Sequence, residues 1–325
     1  MKRREWMLGA TALGLSPWPL GAHAQAGFPT RTVRIVVPFP PGGATDITAR
    51  ALAEKLQERW GQPVVVENRA GAGGNVGSEM VSKAAPDGHT LVLGVTGSHG
   101  INISLYPKMP YHPLNDFEPV VHATLYPNVI AVHPSVPAND LRQLLALARS
   151  MPGRLSYGSD GNGTASHLGM ELVKARAQVF MVHLPYRGSA PLLTDLIGGQ
   201  IQVGVTGLPA VLPHARAGRL RMVAVTTPQR AEAAPEVGTV AEQGLADYVA
   251  APWSGFFAPK GTPPAILEQI SRDMNAAMQL PDVRKRMADA GAPLVGGTPA
   301  EFRRFVEAEI RRWAEAVKFS GASVN

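Results

Sequence analysis

The chain has 325 residues, with 31 Lys and Arg against 25 Asp and Glu for a net charge of +6, and it has no cysteine. Disulfides, thiolate metal sites, cysteine nucleophiles and lipidated cysteines are therefore excluded. The positive charge is mild and dispersed, with no basic run interleaved with aromatics, and that argues against a nucleic-acid partner.

Residues 1–24 read as a cleavable signal peptide. Lys2, Arg3 and Arg4 form a basic start, an apolar stretch runs from Trp6 to Leu20, and Ala22-His23-Ala24 fits the small-x-small cleavage pattern. The apolar stretch is short and broken by Pro17 and Pro19, which speaks against a membrane span. Cleavage leaves Gln25 as the mature start and a net charge of +4. Export without disulfides points to a bacterial periplasm, and roughly 300 mature residues exceed one comfortable core, so two domains are expected.

From there, strand-like apolar runs alternate with helical patterns, as in α/β folds with mostly parallel sheets. The first series runs "VRIVV" (33–37), a Pro/Gly loop, the helix "ITARALAEKLQERW", the strand "PVVVE" (63–67), the helix "NVGSEMVSKA" and the strand "HTLVLGV" (89–95), ending in Gly94-Val95-Thr96-Gly97. The second runs "RLSYGS" (154–159), the loop "DGNGT", the helix "ASHLGMELVKAR", the strand "FMVHLPY", the helix "SAPLLTDLIGG" and the strand "QIQVGV", ending in Gly204-Val205-Thr206-Gly207. The same order and the same closing letters imply two similar open-sheet lobes. "YPNVIAVHPS" (126–135) and "DYVAAPWSGFFAPKGTPP" (247–264) read as crossings between them, and "TPAEFRRFVEAEIRRWAEAV" (298–317) as a helix with a capping box of Thr298 and Glu301 behind Pro299.

The loop "VPFPPGGATD" (37–46) raises the functional question. A glycine turn between strand and helix aims unpaired N–H groups, with the helix dipole, at an anion. A P-loop would place a lysine after Gly42-Gly43, whereas Ala44-Thr45-Asp46 follow, which argues against a nucleoside triphosphate. A plain turn with Thr45 or Asp46 capping the helix would use the same letters. The second lobe carries a matching loop at 161–167 with Thr164 and Ser166 as hydroxyl donors, and two such loops facing one cleft suit a carboxylate.

"VPFPPGGATD", "GQPVVVENRAGAGGNVG", "KAAPDGHTLVLG", "LPYRGSAPLLTDLIGGQI" and "GTPPAILEQI" together resemble the solute-binding proteins of tripartite tricarboxylate transporters, the Bug family, from about Phe28 to the C-terminus. The resemblance implies a two-lobed Venus-flytrap of the periplasmic-binding type II kind. Lobe 1 would hold residues 25–128 and 249–325, and lobe 2 residues 129–248. It implies a small carboxylate or dicarboxylate gripped by the loops of Gly42 to Asp46 and Asn162 to His167, partly through water. The implied partner is a two-subunit membrane permease, although such proteins are often encoded without one and a sensing role is open. Neither cofactor, metal nor catalysis is expected, and the chain is expected to be a monomer.

The expected ligand contacts are Phe39, Gly43, Ala44, Thr45 and Asp46 on one jaw, with Asp46 capping the helix and holding water. Asn162, Gly163, Thr164, Ala165, Ser166 and His167 form the other. Thr96, Ser98, His99, Thr206 and Gly207 would set specificity at the far side, His99 and His167 being the two cleft histidines. Trp253 in "PWSGFF" would either sandwich an apolar ligand body with Phe39 or pack between lobes. Where the family commonly has Asp-Asn-Leu-Pro, this chain has Thr206-Gly207-Leu208-Pro209. The missing acid suggests a ligand without a free amine.

Rival signals are weaker. "GAGGNVG" (71–77) could serve a nicotinamide-dependent oxidoreductase, but it follows the second strand instead of lying directly after the first. There is no G-x-S-x-G for a hydrolase and no H-E-x-x-H for zinc. Arg303-Arg304 and Arg311-Arg312 read as a solvated basic face, with a docking face as the alternative.

Overall fold

A computed structural model describes residues 27–322 and Val324; the signal-peptide reading of residues 1–24 lies outside them. Ten strands form two five-stranded sheets. The first half of the chain supplies β1 (Val33–Val37), α1 (Ala44–Trp60), β2 (Val64–Asn68), α2 (Asn75–Ser82), β3 (Thr90–Val95), α3 (Asn102–Leu105), β4 (Phe117–Leu125), β5 (Asn128–Val132) and α4 (Leu141–Ser150). β6 (Ser156–Ser159), α5 (Ala165–Ala177), β7 (Val182–Pro185), α6 (Ser189–Ile197), β8 (Val203–Gly207), α7 (Leu208–Arg216) and β9 (Arg221–Val225) follow. The chain closes with β10 (Trp253–Pro259), α8 (Pro264–Met278), α9 (Pro281–Asp289) and α10 (Pro299–Ser320).

The sheets have orders β2-β1-β3-β10-β4 and β7-β6-β8-β5-β9, one pattern used twice. In each, the three strands of the βαβ series run parallel, and one strand runs antiparallel between the third of them and an edge strand. Those antiparallel strands, β5 and β10, lie inside the two segments read as plain crossings. The crossing chain does not merely pass between sheets; it enters the middle of the sheet it reaches. That is why "NVIAV" and "WSGFFAP" are buried along their whole length.

Helices cover both faces, so apolar side chains form a layer on each side of each sheet. α1 shows the local logic. Ala49, Leu52, Ala53 and Leu56 recur at helical spacing and are all buried against the first sheet, each leucine contributing about 2 kcal/mol. Gly61, in the left-handed region with φ 62°, ends the helix. α10 begins with the capping box, Thr298 Oγ1 accepting from Glu301 N–H and Glu301 Oε2 from Thr298 N–H.

α10 also links the two halves. Phe302 and Val306 pack with Trp253 and Phe257 on the first sheet, whereas Trp313, two turns on, packs in the second sheet's layer with residues such as Leu168 and Tyr248. Between them Glu309, almost fully buried, accepts from the indole N–H of both Trp253 (2.9 Å) and Trp313 (3.0 Å) and from Arg312. The crossing strands are tied to each other by Tyr126 N–H to Pro252 O (3.0 Å), Asn128 N–H to Thr226 Oγ1 (2.9 Å) and Ala250 N–H to Thr226 O (3.1 Å). The carboxyl ends of both sets of parallel strands thereby face one cleft.

Candidate ligand-binding site

A cavity of about 50 Å³ lies between the two sheets, walled by Phe39, Pro40, Gly43 to Thr45 and Val95 to Gly97 of one lobe, Asp160, Thr164 to Ser166, Ser189 and Gly207 of the other, and Tyr126, Asn128, Pro252 and Trp253 of the crossings. The jaws are shut. A Cβ on Gly73 would sit 2.2 Å from Asn162 O, one on Gly163 2.1 Å from Asn102 Oδ1, and one on Gly97 2.8 Å from Gly163 O. Only glycine allows backbone to meet the opposite lobe this closely. A second cavity of about 190 Å³ lies outside the first, shares Phe39 and Asp160 with it, and is lined by residues 70–74, Tyr106, Asn162, Tyr186 and the exposed Arg187.

Four helices begin at the inner cavity: α1 behind Gly43, α5 behind Thr164, α6 at Ser189 and α7 behind Gly207. No side chain caps α1, so the N–H groups of its first turn have no partner within the helix. α5 is capped by Thr164 Oγ1, which accepts from His167 N–H and leaves the amides of Ala165 and Ser166 toward the cavity. The Nδ2 group of Asn128, buried in the same wall, has no hydrogen-bond partner. The converging dipoles and these donors favour negative charge although no lysine or arginine lines the cavity.

One charged residue does line it, and it is acidic. Asp160 receives hydrogen bonds from Thr206 Oγ1 at 2.7 Å and Ser166 Oγ at 3.3 Å, with the Ser189 hydroxyl as a third partner. Burial pushes its carboxyl up to about 6, against the downward pull of those hydroxyls. Sequence reading passed over it inside the turn-like letters "DGNGT". Its position at the end of β6, next to β8 in the sheet, was the usable signal.

Of the expected contacts, Phe39, Gly43, Ala44, Thr45, Thr96, Thr164, Ala165, Ser166, Gly207 and Trp253 lie on the inner wall. Trp253 lines the cavity, and its ring packs among Phe257, Phe302 and Phe305 in the first sheet's own layer, not between the lobes. Thr206 stands just behind the wall and donates a hydrogen bond to Asp160. Asn162 lines the outer cavity, and Gly163 is spent on the contact with Asn102.

Asp46, Ser98, His99 and His167 do not reach the inner wall. Asp46 does not cap the helix: it accepts from Gly42 N–H, Arg50 and Asn68, staking the loop from behind. Burial works to raise its carboxyl, but those bonds outweigh it and hold it below the usual range. The π-turn over Gly97–Ile101 swings His99 into the core, stacked 4.1 Å from Phe257, with Ser98 Oγ on its Nδ1. His167 points under its own loop, accepting from Gly163 N–H and stacking on His183 at 4.2 Å. Burial lowers His99 to about 3, His167 to about 4 and His183 to about 3. Ser189, Asn128, Tyr126 and Asp160 are wall residues the sequence reading missed.

The glycines of 71–77 are consumed by packing. Gly77 lies on Arg69 and Pro38, Gly74 on Ser98 and Phe39, and Gly73 on the opposite lobe.

The family profile described as "Tripartite tricarboxylate transporter family receptor" matches residues 48–321. The chain belongs to that family. Protein BugT of Bordetella pertussis is 40% identical over 298 residues, covering 91% of each chain. Among solved structures, Rpa4515 of R. palustris, determined with adipate, is 38% identical at a TM-score of 0.89, over 91% of this chain and 99% of that one. MatC from Rhodopseudomonas palustris, with bound malate, is 34% identical at a TM-score of 0.85, over 89% and 100%. The two-lobed α/β fold is that of this family of periplasmic solute-binding proteins.

Two outcomes follow for this receptor-family site. Asp160 binds more protons folded than unfolded, so its contribution to stability is lost as pH rises from about 4 through about 6. Asp160 is only partly shielded from solvent, so at neutral pH the ionised acid costs at most about 3 kcal/mol. Asp160→Asn should therefore melt up to about 5 °C above the wild type at pH 7.5 and no higher at pH 4, as followed by circular dichroism. An equal gain at both values would show that the ionised carboxylate carries no such cost. Gly73→Ala should fold with a loss of about 1 kcal/mol from its left-handed φ yet fail to close. Ligand-induced compaction in small-angle scattering, if retained by the variant, would refute that.

Proposed function

We propose that the chain binds a small carboxylate or dicarboxylate between its lobes, outside the cytoplasm, and delivers it to the membrane permease subunits of a tripartite tricarboxylate transporter. The observation that carries this reading is the inner wall: four helix N-termini and the unpartnered Asn128 amide surround a cavity with no basic side chain. A carboxylate accepts several N–H bonds and needs neither lysine nor metal to be held there. The ligand contacts are those wall residues, direct or through water, and the protein acts as a monomer without catalysis. Export follows cleavage before Gln25; a periplasmic form starting elsewhere would remove that part of the reading.

Size refines the ligand. The shut inner cavity is smaller than the roughly 150 Å³ that admits benzene, so it seats one carboxylate and little more. A longer dicarboxylate reaches the outer cavity by displacing Phe39, where Arg187 meets its second carboxylate. Relatives solved with adipate and with malate make both lengths reasonable probes. The lobes hinge at the crossings near 126–128 and 249–253, and the closed form is the one the permease recognises.

The test is thermal unfolding of ligand-stripped protein against mono- and dicarboxylates, amino acids and NAD. A binder at about a thousand times its dissociation constant adds roughly 4 kcal/mol, a shift of several degrees. The reading expects shifts from a subset of carboxylates, with Arg187→Ala weakening dicarboxylates about fivefold and sparing monocarboxylates. A response confined to NAD would replace it with the oxidoreductase reading of the 71–77 loop.

A further inference from the structure

We propose that Asp160 makes carboxylate binding a proton-coupled event: as the anion enters, Asp160 takes one proton from solvent and presents its O–H to a ligand oxygen. The inference rests on the carboxylate reading above and adds to it the residue that couples affinity to pH.

The geometry poses the problem. Asp160 is the one charged side chain on the inner wall, its hydrogen-bonding partners are hydroxyls of Thr206, Ser166 and Ser189, and no cation among the described residues is placed to neutralise it. A second carboxylate in the same shut cavity would face this charge with little water between them, and two like charges so close do not both stay ionised. One proton must be shared. Burial has already raised the Asp160 carboxyl to about 6 before any ligand arrives, so protonating it costs less than protonating an ordinary carboxylate.

An ammonium-bearing ligand would solve the charge problem differently, but the wall is poorly built for it. Three N–H donors of an ammonium need three acceptors. Three hydroxyls already occupy Asp160, and Thr96 Oγ1 is committed to the backbone of Trp253. The free groups are donors, namely helix N–H groups and the Asn128 amide. A donor-rich cavity with one acid fits a carboxylate plus a proton.

Other ionisable groups packed around Asp160 do not interfere between pH 6 and 8.5. Tyr126, from the crossing, is kept neutral by burial and then by the Asp160 charge itself. His167 on α5 and His183 on β7 are held neutral by burial, as is His99 behind β3. Asp46 at the start of α1 stays ionised against Arg50. Arg187 stands exposed at the outer rim.

The experiment is calorimetric titration of the full protein with adipate, malate and benzoate, and with the amine-bearing analogues 2-aminoadipate and aspartate, from pH 6.5 to 8.5. For the amine-free ligands, Kd should rise about tenfold for each pH unit, as uptake of one proton requires. Binding enthalpies in buffers of different ionisation heat should report about one proton taken up. Asp160→Asn, which offers an N–H where the protonated acid offers O–H, should flatten the pH dependence to within about twofold and abolish proton uptake. A flat wild-type profile for an amine-free ligand would overturn the coupling while leaving the carboxylate reading intact. Binding confined to the amine-bearing analogues, and lost in Asp160→Asn, would overturn it in favour of an ionised Asp160. No binding of any of the five would sink the carboxylate reading and the coupling with it.

Discussion

Everything in this molecule depends on one antiparallel strand per sheet. A parallel βαβ series exposes the carboxyl ends of its strands, and the helix N-termini that follow them, along one edge. Two such edges face each other only if the connecting chain runs back into each sheet. β5 and β10 do this, and the bonds joining Tyr126 to Pro252 and Asn128 to Thr226 fix where the two edges meet. α10 and the Glu309 cluster join the two halves a second time, Glu309 accepting from the indole of the cavity-lining Trp253 and from that of Trp313.

On the proposed reading, the cleft would hold an anion without a fixed cation. A lysine or arginine on the wall would hold a carboxylate tightly but would also keep the empty lobes attracting any small anion. Helix N–H groups are weaker individually, and only the closed lobes bring those of α1 and α5 onto one point. On that reading affinity would be linked to closure, which a binding protein needs if its closed form is to signal occupancy. The glycines at 73 and 97 let backbone meet backbone between the lobes, and the one at 163 leaves room for the Asn102 side chain.

Much of this was legible in the sequence, and the failures have physical causes. The series of strands and helices, the two loops and the repeated GVTG all lie in the expected places, since local periodicity and turn chemistry determine them. β4 and β9 went unrecognised because their place at a sheet edge beside a crossing strand is set by tertiary pairing. The GVTG repeat misled in one respect. After Gly207 the chain enters α7 directly, but after Gly97 it takes a π-turn, and that extra residue per turn rotates Ser98 and His99 from the cleft into the aromatic core. Identical letters closed both strands, and the next five residues decided which side chains reached the ligand space.

Asp160 carries the most general lesson. The absence of an acid at Thr206 was a fair ground, letter by letter, for expecting a ligand without a free amine. In the sheet, however, β6 and β8 are neighbours with Ser159 opposite Val205, so the next residue of each strand, Asp160 and Thr206, ends at the same corner of the cavity. An acid can be delivered to that corner from either strand, and here it comes from β6, 2.7 Å from the threonine that stands where the family's aspartate is expected. The amine-free ligand thus stays a proposal and loses its original premise. It now rests on a count of donors and acceptors around the cavity, which one sequence position could not supply.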